Sequence, residues 1–442
     1  MDTPIFDFIQ KYSKSGVLRM HMPGHKGAGL LGIENLDITE VDGADSLYHA
    51  DGIIRKSEKN ASEIFGSNTY YSTEGASLCI RVIVYLLTDY AVKNGKTPLI
   101  YAGRNAHKSF INACAMSGTS VEWLYGENDG YLGCNLSAEQ VDLKLSNADA
   151  LPVAVYLTSP DYLGNTVDIE KIAKVCKKHG VLLAVDNAHG GYLKFLEKSL
   201  HPIDLGADVC CDSAHKTLSA LTGSAYLHLA KGLAEEKLVK SAFSLFGSTS
   251  PSYLTLASLD LLNKELAGDF PAKLRKFCQA VEVVKQGLKD IGYHLLGDEP
   301  LKITIDCKDY GYYGNILAQI LRKKGIECEF CDPDFVVLMV SVNTGKAGLI
   351  KLIETLSLLP KKRKIYETPP KLMKPVKVME IRDAVFARKK IVKVEDALNK
   401  VLALDSVSCP PAVPIVVCGE KIDKNAIDCF KYYGIEEVTV VD

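Results

Sequence analysis

Between Ile53 and about Leu229 the chain alternates short apolar, β-branched runs with stretches of helical periodicity, and this alternation restricts the fold more than any other feature. The spacing predicts strands at Thr69–Ser72, Leu99–Ala102, Val121–Leu124, Val153–Thr158, Val181–Val185, Ala207–Cys211 and Ala225–Leu229. Helices are expected among them at Leu78–Val92, His107–Met116 and Ile169–His179. Strands that alternate with helices need long crossover connections, which pair the strands in parallel and cover both faces of the sheet. Ligands of such sheets bind beyond the carboxyl ends of the strands. Polar residues just after each strand are therefore the candidates for chemistry.

The rest of the chain divides around this α/β region. A short amphipathic helix over Pro4–Lys14 and an irregular stretch rich in Gly, His and Asp make an N-terminal arm, residues 1–52. The large domain takes residues 53–270. Helices at Ser252–Leu266 and Pro271–Ile291 lead out of it. A strand at Lys302–Asp306, a helix at Tyr313–Lys324, strands near Ile326–Phe330 and Phe335–Val342, and a helix at Leu349–Leu358 predict a small α+β domain, residues 271–360. Pro360–Pro375, with its basic run Lys361-Lys362-Arg363-Lys364, reads as a solvated linker. It opens a C-terminal extension, residues 361–442, with an expected helix at Val394–Leu402 and a rigid Cys409–Pro414 turn.

Composition removes several classes of function. With 52 Lys+Arg against 54 Asp+Glu, the chain lacks the basic excess of a dedicated nucleic-acid binder. No apolar run is expected to reach the roughly 18 residues that span a bilayer, since Leu78–Leu87 carries Arg81. Met1-Asp2-Thr3-Pro4 has neither the basic nor the apolar part of a secretory signal. The 13 cysteines are odd in number and sit mostly in apolar contexts, which suits a reducing, cytoplasmic setting better than a disulfide framework. Cys328-Glu-Phe-Cys331 has no second pair at zinc spacing, so no metal is expected. Gly27-Ala-Gly29-Leu-Leu-Gly32 matches a dinucleotide fingerprint, but no clean strand precedes it and no helix follows, so its glycines are read as a tight turn.

One constellation at the predicted strand ends carries chemistry. Asp212-Ser-Ala-His-Lys216 follows an apolar strand, and a buried strand ends at Asp186 with His189 just beyond. Glu74-Gly75-Ala76-Ser77 lies between a strand and a long helix, where backbone N–H groups and the helix dipole can hold a phosphate. His107 stands just past Leu99–Ala102 and offers a flat imidazole. A lone lysine is usually a surface loop residue. Lysine, aspartate, a phosphate-holding turn and a stackable ring together are the parts that hold pyridoxal phosphate. The lysine supplies a Schiff base, and the aspartate keeps the pyridinium nitrogen protonated.

Over nearly its whole length the sequence also resembles a known family, the pyridoxal-phosphate-dependent ornithine/lysine/arginine decarboxylases of bacteria, in particular the short biosynthetic-type members. The resemblance lies in His21-Met-Pro-Gly-His-Lys-Gly27, Asp42-Gly-Ala-Asp45-Ser-Leu-Tyr-His49, Arg104-Asn-Ala-His-Lys-Ser109 and Thr158-Ser-Pro-Asp-Tyr-Leu-Gly164. It continues in Asp186-Asn-Ala-His-Gly190, Ser213-Ala-His-Lys-Thr-Leu218, Ser248-Thr-Ser-Pro-Ser-Tyr253 and Cys409-Pro-Pro-Ala-Val-Pro414, followed by Gly419-Glu420. It implies fold type I, the aspartate-aminotransferase-like arrangement of a mostly parallel sheet with helices on both faces, plus the small domain and extension. Lys216 would be the Schiff-base lysine, Asp186 the ring-nitrogen partner and His107 the stacking ring. His189 would lie beside the cofactor, and Ser213 and His215 would touch its phosphate. Gly75, Ala76 and Ser77 would form the phosphate turn. Ser248 and Thr249 would approach from a partner subunit, and Glu420 would lie near the distal end of the substrate.

Three departures accompany the resemblance. The family's Asn-Gly-Ser-Thr reads Glu74-Gly75-Ala76-Ser77, its Asp-Glu-Ala-His reads Asp186-Asn187-Ala188-His189, and its Tyr-Pro-Pro-Gly-Ile-Pro reads Cys409-Pro-Pro-Ala-Val-Pro414. The first removes a hydroxyl and brings a carboxylate close to a phosphate unless Glu74 points away. The implied activity is decarboxylation of a basic amino acid, arginine first and then lysine or ornithine, to agmatine, cadaverine or putrescine, by a homodimer or higher homo-oligomer with its active sites at the dimer interface. The alternatives are an aminotransferase or lyase on the same fold, or a non-catalytic regulatory paralogue motivated by Glu74, Ala76 and Asn187.

Overall fold

The computed structural model describes residues 1–126, 130–371, 373–405 and 411–442. The expected strands form as β1 (Asn68–Ser72), β2 (Leu99–Gly103), β3 (Ser120–Leu124), β4 (Ala154–Thr158), β5 (Leu182–Asp186), β6 (Val209–Asp212) and β7 (Ala225–Leu229). Helices α1 (Pro4–Ser13), α2 (Ile53–Phe65), α3 (Gly75–Lys93), α4 (Lys108–Ser117), α5 (Ala138–Ser146), α6 (Ile169–His179) and α7 (Ala214–Thr217) alternate with them. The chain divides into two compact units, Met1–Leu86 with Leu183–Arg275, and Leu87–Leu182 with Lys276–Asp442.

In the first unit β5 and β6 run parallel, while β7 pairs antiparallel with both β6 and β1. The N-terminal helix α1 is fastened by burial of Ile5 and Ile9. The Asp260 carboxylate accepts the N–H groups of Ile5 and Phe6 at 2.9 and 3.0 Å, satisfying donors that a helix start leaves open. Asp45 does the same for α2, taking the N–H groups of Gly52 and Ile54 at 2.9 Å. A buried ion pair, Lys240 Nζ to Glu58 Oε1 at 2.6 Å, ties the helix Glu236–Phe246 to α2.

In the second unit β2 lies between β3 and β4 and is parallel to both. Four antiparallel strands, β8 (His294–Leu296), β9 (Lys302–Asp306), β10 (Phe330–Cys331) and β11 (Phe335–Met339), pair in the order β10-β11-β9-β8. Helices Gly314–Lys323 and Gly345–Ser357 make this the expected α+β element. The C-terminal extension forms β12 (Lys389–Lys393), β13 (Leu402–Leu404) and β14 (Glu437–Val441), around a core that includes Leu402, Ile422, Phe430 and Val440.

Two expectations are corrected. Val394–Leu402 is not one helix: only Val394–Asp396 forms a single 3-10 turn, and Leu402 begins β13. Asn399 adopts φ 62, and its N–H donates to Ile422 O at 2.8 Å, so the backbone bonds leave the local helical pattern. The apolar run around Leu78–Leu87 is part of α3, whose 19 residues are long and apolar enough by composition to cross a membrane. More than half of its apolar window is buried inside the protein.

Candidate active site

The site in the first unit grows from a tight turn between β1 and α3. Ser72 Oγ donates to Gly75 O at 3.0 Å and accepts the Glu74 N–H at 3.1 Å, which closes the turn. Gly75 completes it at φ 70, and its N–H donates to Gly223 O at 2.7 Å. At Gly223 the backbone has φ 92, and a Cβ there would stand 2.8 Å from Thr73 O, so the close approach of these two loops requires glycine. Past the turn, the first N–H groups of α3 point out of the helix at the positive end of its dipole. Ala76 is buried and Ser77 half-buried at this end. His215 stands beside the turn, its Cε1 3.9 Å from where a Gly75 Cβ would lie, and its Nδ1 donates to Ser224 O at 2.9 Å.

The connection from β6 to β7 carries the lysine. Ser213, almost fully buried, opens the single-turn helix α7, and Lys216 Nζ sits 2.9 Å from His189 Nε2. Asp186 ends β5 with 3% of its surface exposed, and its Oδ1 accepts the Ala188 N–H at 3.1 Å. The register of β5 against β6 places Asp186 opposite Cys211, one residue before the segment that leads to Lys216. Thr217 Oγ1 and Ser224 Oγ, on the same connection, are buried without a hydrogen-bond partner among the described residues. A buried hydroxyl without a partner costs free energy unless a bound group supplies one. Glu74 turns its carboxylate onto the next loop, where Oε1 accepts the Ser248 N–H at 2.6 Å. Ser248 and Thr249 are themselves exposed.

The first unit thus contains Gly75, Ala76, Ser77, Asp186, His189, Ser213, His215, Lys216, Ser248 and Thr249. Direct contacts join Lys216 to His189 and Glu74 to Ser248, and His215 stands beside the Gly75 turn. His107 and Glu420 belong to the second unit. There His107 caps α4, with Nδ1 accepting the Ser109 N–H at 3.1 Å, which leaves Nε2 as the protonated nitrogen of the neutral ring. The adjacent Lys108 N–H donates to Ala412 O at 2.8 Å, latching the Pro411–Pro414 turn to this helix start. Ala412 adopts φ 57, a left-handed conformation that costs a non-glycine residue about 1 kcal/mol. Cys409 and Pro410, the start of that motif, lie outside the described residues.

Glu420, expected near the distal end of the substrate, sits in a buried ion pair of the second unit. The residue is 2% exposed, and its Oε2 accepts both Arg104 Nη2 at 3.0 Å and the Val417 N–H at 2.7 Å. Burial raises the Glu420 pKa, and the Arg104 guanidinium opposes that rise. Arg104 also donates to Pro414 O and Ile415 O at 3.0 and 2.8 Å. The pair is an anchor for residues 414–420. Sequence reasoning gave Arg104 no role and passed over His201 and His228, two fully buried histidines beside Asp212. The available signal was His228 inside the apolar run Ala225–Leu229, where a polar ring needs a partner.

Known proteins resemble this chain in both sequence and fold. Residues 3–291 match the family model "Orn/Lys/Arg decarboxylase, major domain". An arginine decarboxylase of Halalkalibacterium halodurans is 30% identical, covering 96% of this chain and 91% of the relative. An arginine decarboxylase of Bacillus anthracis is 29% identical, covering 97% of this chain and 92% of the relative. The crystal structure of a lysine decarboxylase of Francisella novicida superposes with a TM-score of 0.80 at 19% identity, covering 100% of this chain and 81% of that one. This last likeness speaks to the fold, the mostly parallel α/β arrangement expected from the strand–helix alternation.

Proposed function

Because the chain belongs to the Orn/Lys/Arg decarboxylase family, we propose that it decarboxylates L-arginine to agmatine with pyridoxal 5′-phosphate held on Lys216. Amino-acid decarboxylation of a basic substrate follows from the family itself and stands apart from the aminotransferase, lyase and non-catalytic alternatives. Arginine is favoured over lysine and ornithine because the two relatives compared over nearly the whole chain are arginine decarboxylases.

The residues present fit the cofactor. The single observation that carries the reading is the Lys216–His189 contact of 2.9 Å in the same compact unit as Asp186 and the glycine turn before α3. The buried hydroxyls Thr217 Oγ1 and Ser224 Oγ, without partners among the described residues, suit a bound group rich in hydrogen-bonding atoms. The Glu74 carboxylate, committed to Ser248, is aimed at a loop, which lessens its conflict with a phosphate at the turn.

When bound, pyridoxal phosphate supplies a sink for the electron pair left on Cα as carbon dioxide departs. Asp186 would hold a proton at the ring nitrogen. The N–H groups at the start of α3, with Ser213 and His215, would hold the phosphate. Lys216 would bind through its amine, and His189 Nε2, within hydrogen-bond reach, would orient that amine and relay its proton. Lys216 would then return a proton to Cα.

The reading extends to assembly and location. Leu18, Met20, Leu30 and Leu31 on the N-terminal arm are each at least 80% exposed, an apolar surface suited to a second copy of this chain. A homodimer, with Ser248 and Thr249 serving the partner's site, is the assembly proposed. No disulfide joins the described cysteines, in keeping with a cytoplasmic enzyme. The test is reductive trapping: protein supplied with pyridoxal phosphate, reduced with borohydride and digested, should carry the label on the peptide containing Lys216. A label on another lysine, or none, contradicts the assignment.

A further inference from the structure

Behind the cofactor residues lies a buried cluster that the chemistry above does not use. Asp212, at the end of β6, is fully buried and gathers three hydrogen-bond partners. Nε2 of His201 and Nε2 of His228 each lie 3.1 Å from its Oδ2, and Asn187 Nδ2 donates to its Oδ1 at 2.6 Å. His228 Nδ1 in turn faces Thr69 Oγ1 at 3.0 Å. Burial by itself would raise the Asp212 pKa, but the two imidazoles outweigh burial and hold the carboxyl well below the usual carboxylate range. An ionised carboxylate only accepts hydrogen bonds, so the amide of Asn187 can face it in one orientation alone.

The placement of this carboxylate gives it a purpose. Asn187 directly follows Asp186, and Asp212 directly precedes Ser213 on the path to Lys216. A backbone bond, Asn187 N–H to Cys211 O at 3.0 Å, already joins the two strand ends. We infer that Asp212 is a positioning residue for the cofactor site: by holding the Asn187 side chain it fixes the turn that presents Asp186 and couples it to the segment that presents Lys216. This rests on the assignment of Asp186 and Lys216 as cofactor residues.

The same geometry gives a reason for asparagine at 187, where the family pattern has glutamate. A second carboxylate beside Asp212 would face a like charge in a buried site, which is strongly unfavourable. His201, Cys210 and Asp212 also bring three potential metal-ligand atoms within 4.8 Å of one another. His228 stands outside that set, and its nitrogen facing Asp212 serves as a hydrogen-bond donor to the carboxylate. Hydrogen bonds to Asp212 engage His201 Nε2, His228 Nε2 and Asn187 Nδ2, while His201 Nδ1 and Asn187 Oδ1 are buried without a partner among the described residues.

The test uses full-length protein reconstituted with pyridoxal phosphate, in the variants Asn187→Ala, Asp212→Asn and their double. Each single change should weaken cofactor affinity about tenfold, and the double should be no worse than about twofold beyond the weaker single, because both act through one contact. The pH midpoint of the cofactor absorbance should also shift in Asn187→Ala, which a purely structural role would leave in place. Asn187→Glu should be worse than Asn187→Ala and should recover in part when combined with Asp212→Asn. Effects that multiply in the double variant, or Asn187→Glu equal to Asn187→Ala, overturn the inference, and the second comparison holds even if Asp212→Asn does not fold. Stoichiometric metal in the purified protein overturns it as well. Failure of the unaltered protein to bind the cofactor overturns the functional reading and this inference together, whereas normal binding with independent variants overturns this inference alone.

Discussion

At the scale of single residues, the structure sorts carboxylates that look alike in sequence into different jobs. Asp186 stands at a strand end next to the lysine-bearing segment, Asp212 organises the layer behind it, Glu74 fastens a neighbouring loop, and Glu420 is paired inside the second unit. The last assignment is directly testable. Glu420→Gln leaves the Arg104 guanidinium buried without its counter-ion, which costs about 3–5 kcal/mol of stability. Thermal or denaturant unfolding should register that loss, while KM for the amino acid stays within about twofold of the parent once the protein is folded. A large rise in KM with unchanged stability would return Glu420 to the substrate. Lys216, Asp186, His189 and the glycine turn were legible in the sequence because each sits at the end of an apolar run, where the α/β arrangement exposes polar groups. The partners Ser224, His201 and His228 were not legible, because Ser224 and His228 approach only when β6 and β7 pair, and His201 reaches Asp212 from the loop before β6.

Among the elements, regular periodicity made the central strands and the helices α3, α4 and α6 readable to within a few residues. Val394–Leu402 misled because its apolar spacing suits a helix, while the left-handed Asn399 and a long-range bond to Ile422 break the local pattern. Helices α2, α5, Glu236–Phe246 and Lys424–Tyr432 have no counterpart among the helices expected from the sequence. The turn between β10 and β11 carries a pH dependence of its own. There Asp332 Oδ1 accepts the N–H groups of Asp334 and Phe335 at 2.8 and 2.7 Å, while Oδ2 is buried without a partner among the described residues. Burial, opposed by those backbone bonds, pushes its pKa up to about 7. The folded protein therefore holds this proton to a higher pH than the unfolded chain does, so its contribution to stability is present at low pH and declines as pH rises from about 4 to about 7. The decline is at most about 4 kcal/mol. Asp332→Asn keeps the two backbone bonds and removes the titration, so unfolding free energy measured across this range should fall less steeply than in the parent. An unchanged slope would contradict the assignment.

For the whole molecule, a net charge of −2 offers a cationic substrate no general attraction, so recognition of a basic amino acid has to come from local acidic groups. Composition argued against a dedicated nucleic-acid binder, but it could not name a reaction. That came from ordered motifs spread along the chain and from relatives matched over nearly its full length. The chain belongs to a family that removes the α-carboxylate of a basic amino acid, and Lys216 is the proposed cofactor lysine. The most direct measurement is carbon dioxide release from carboxyl-labelled arginine, lysine and ornithine by the pyridoxal-phosphate-loaded enzyme, with Lys216→Ala as the control. Release is expected from arginine in preference to the other two, with agmatine formed in equal amount and no release by the variant. Formation of a keto acid without carbon dioxide, or undiminished release by Lys216→Ala, would contradict this reading.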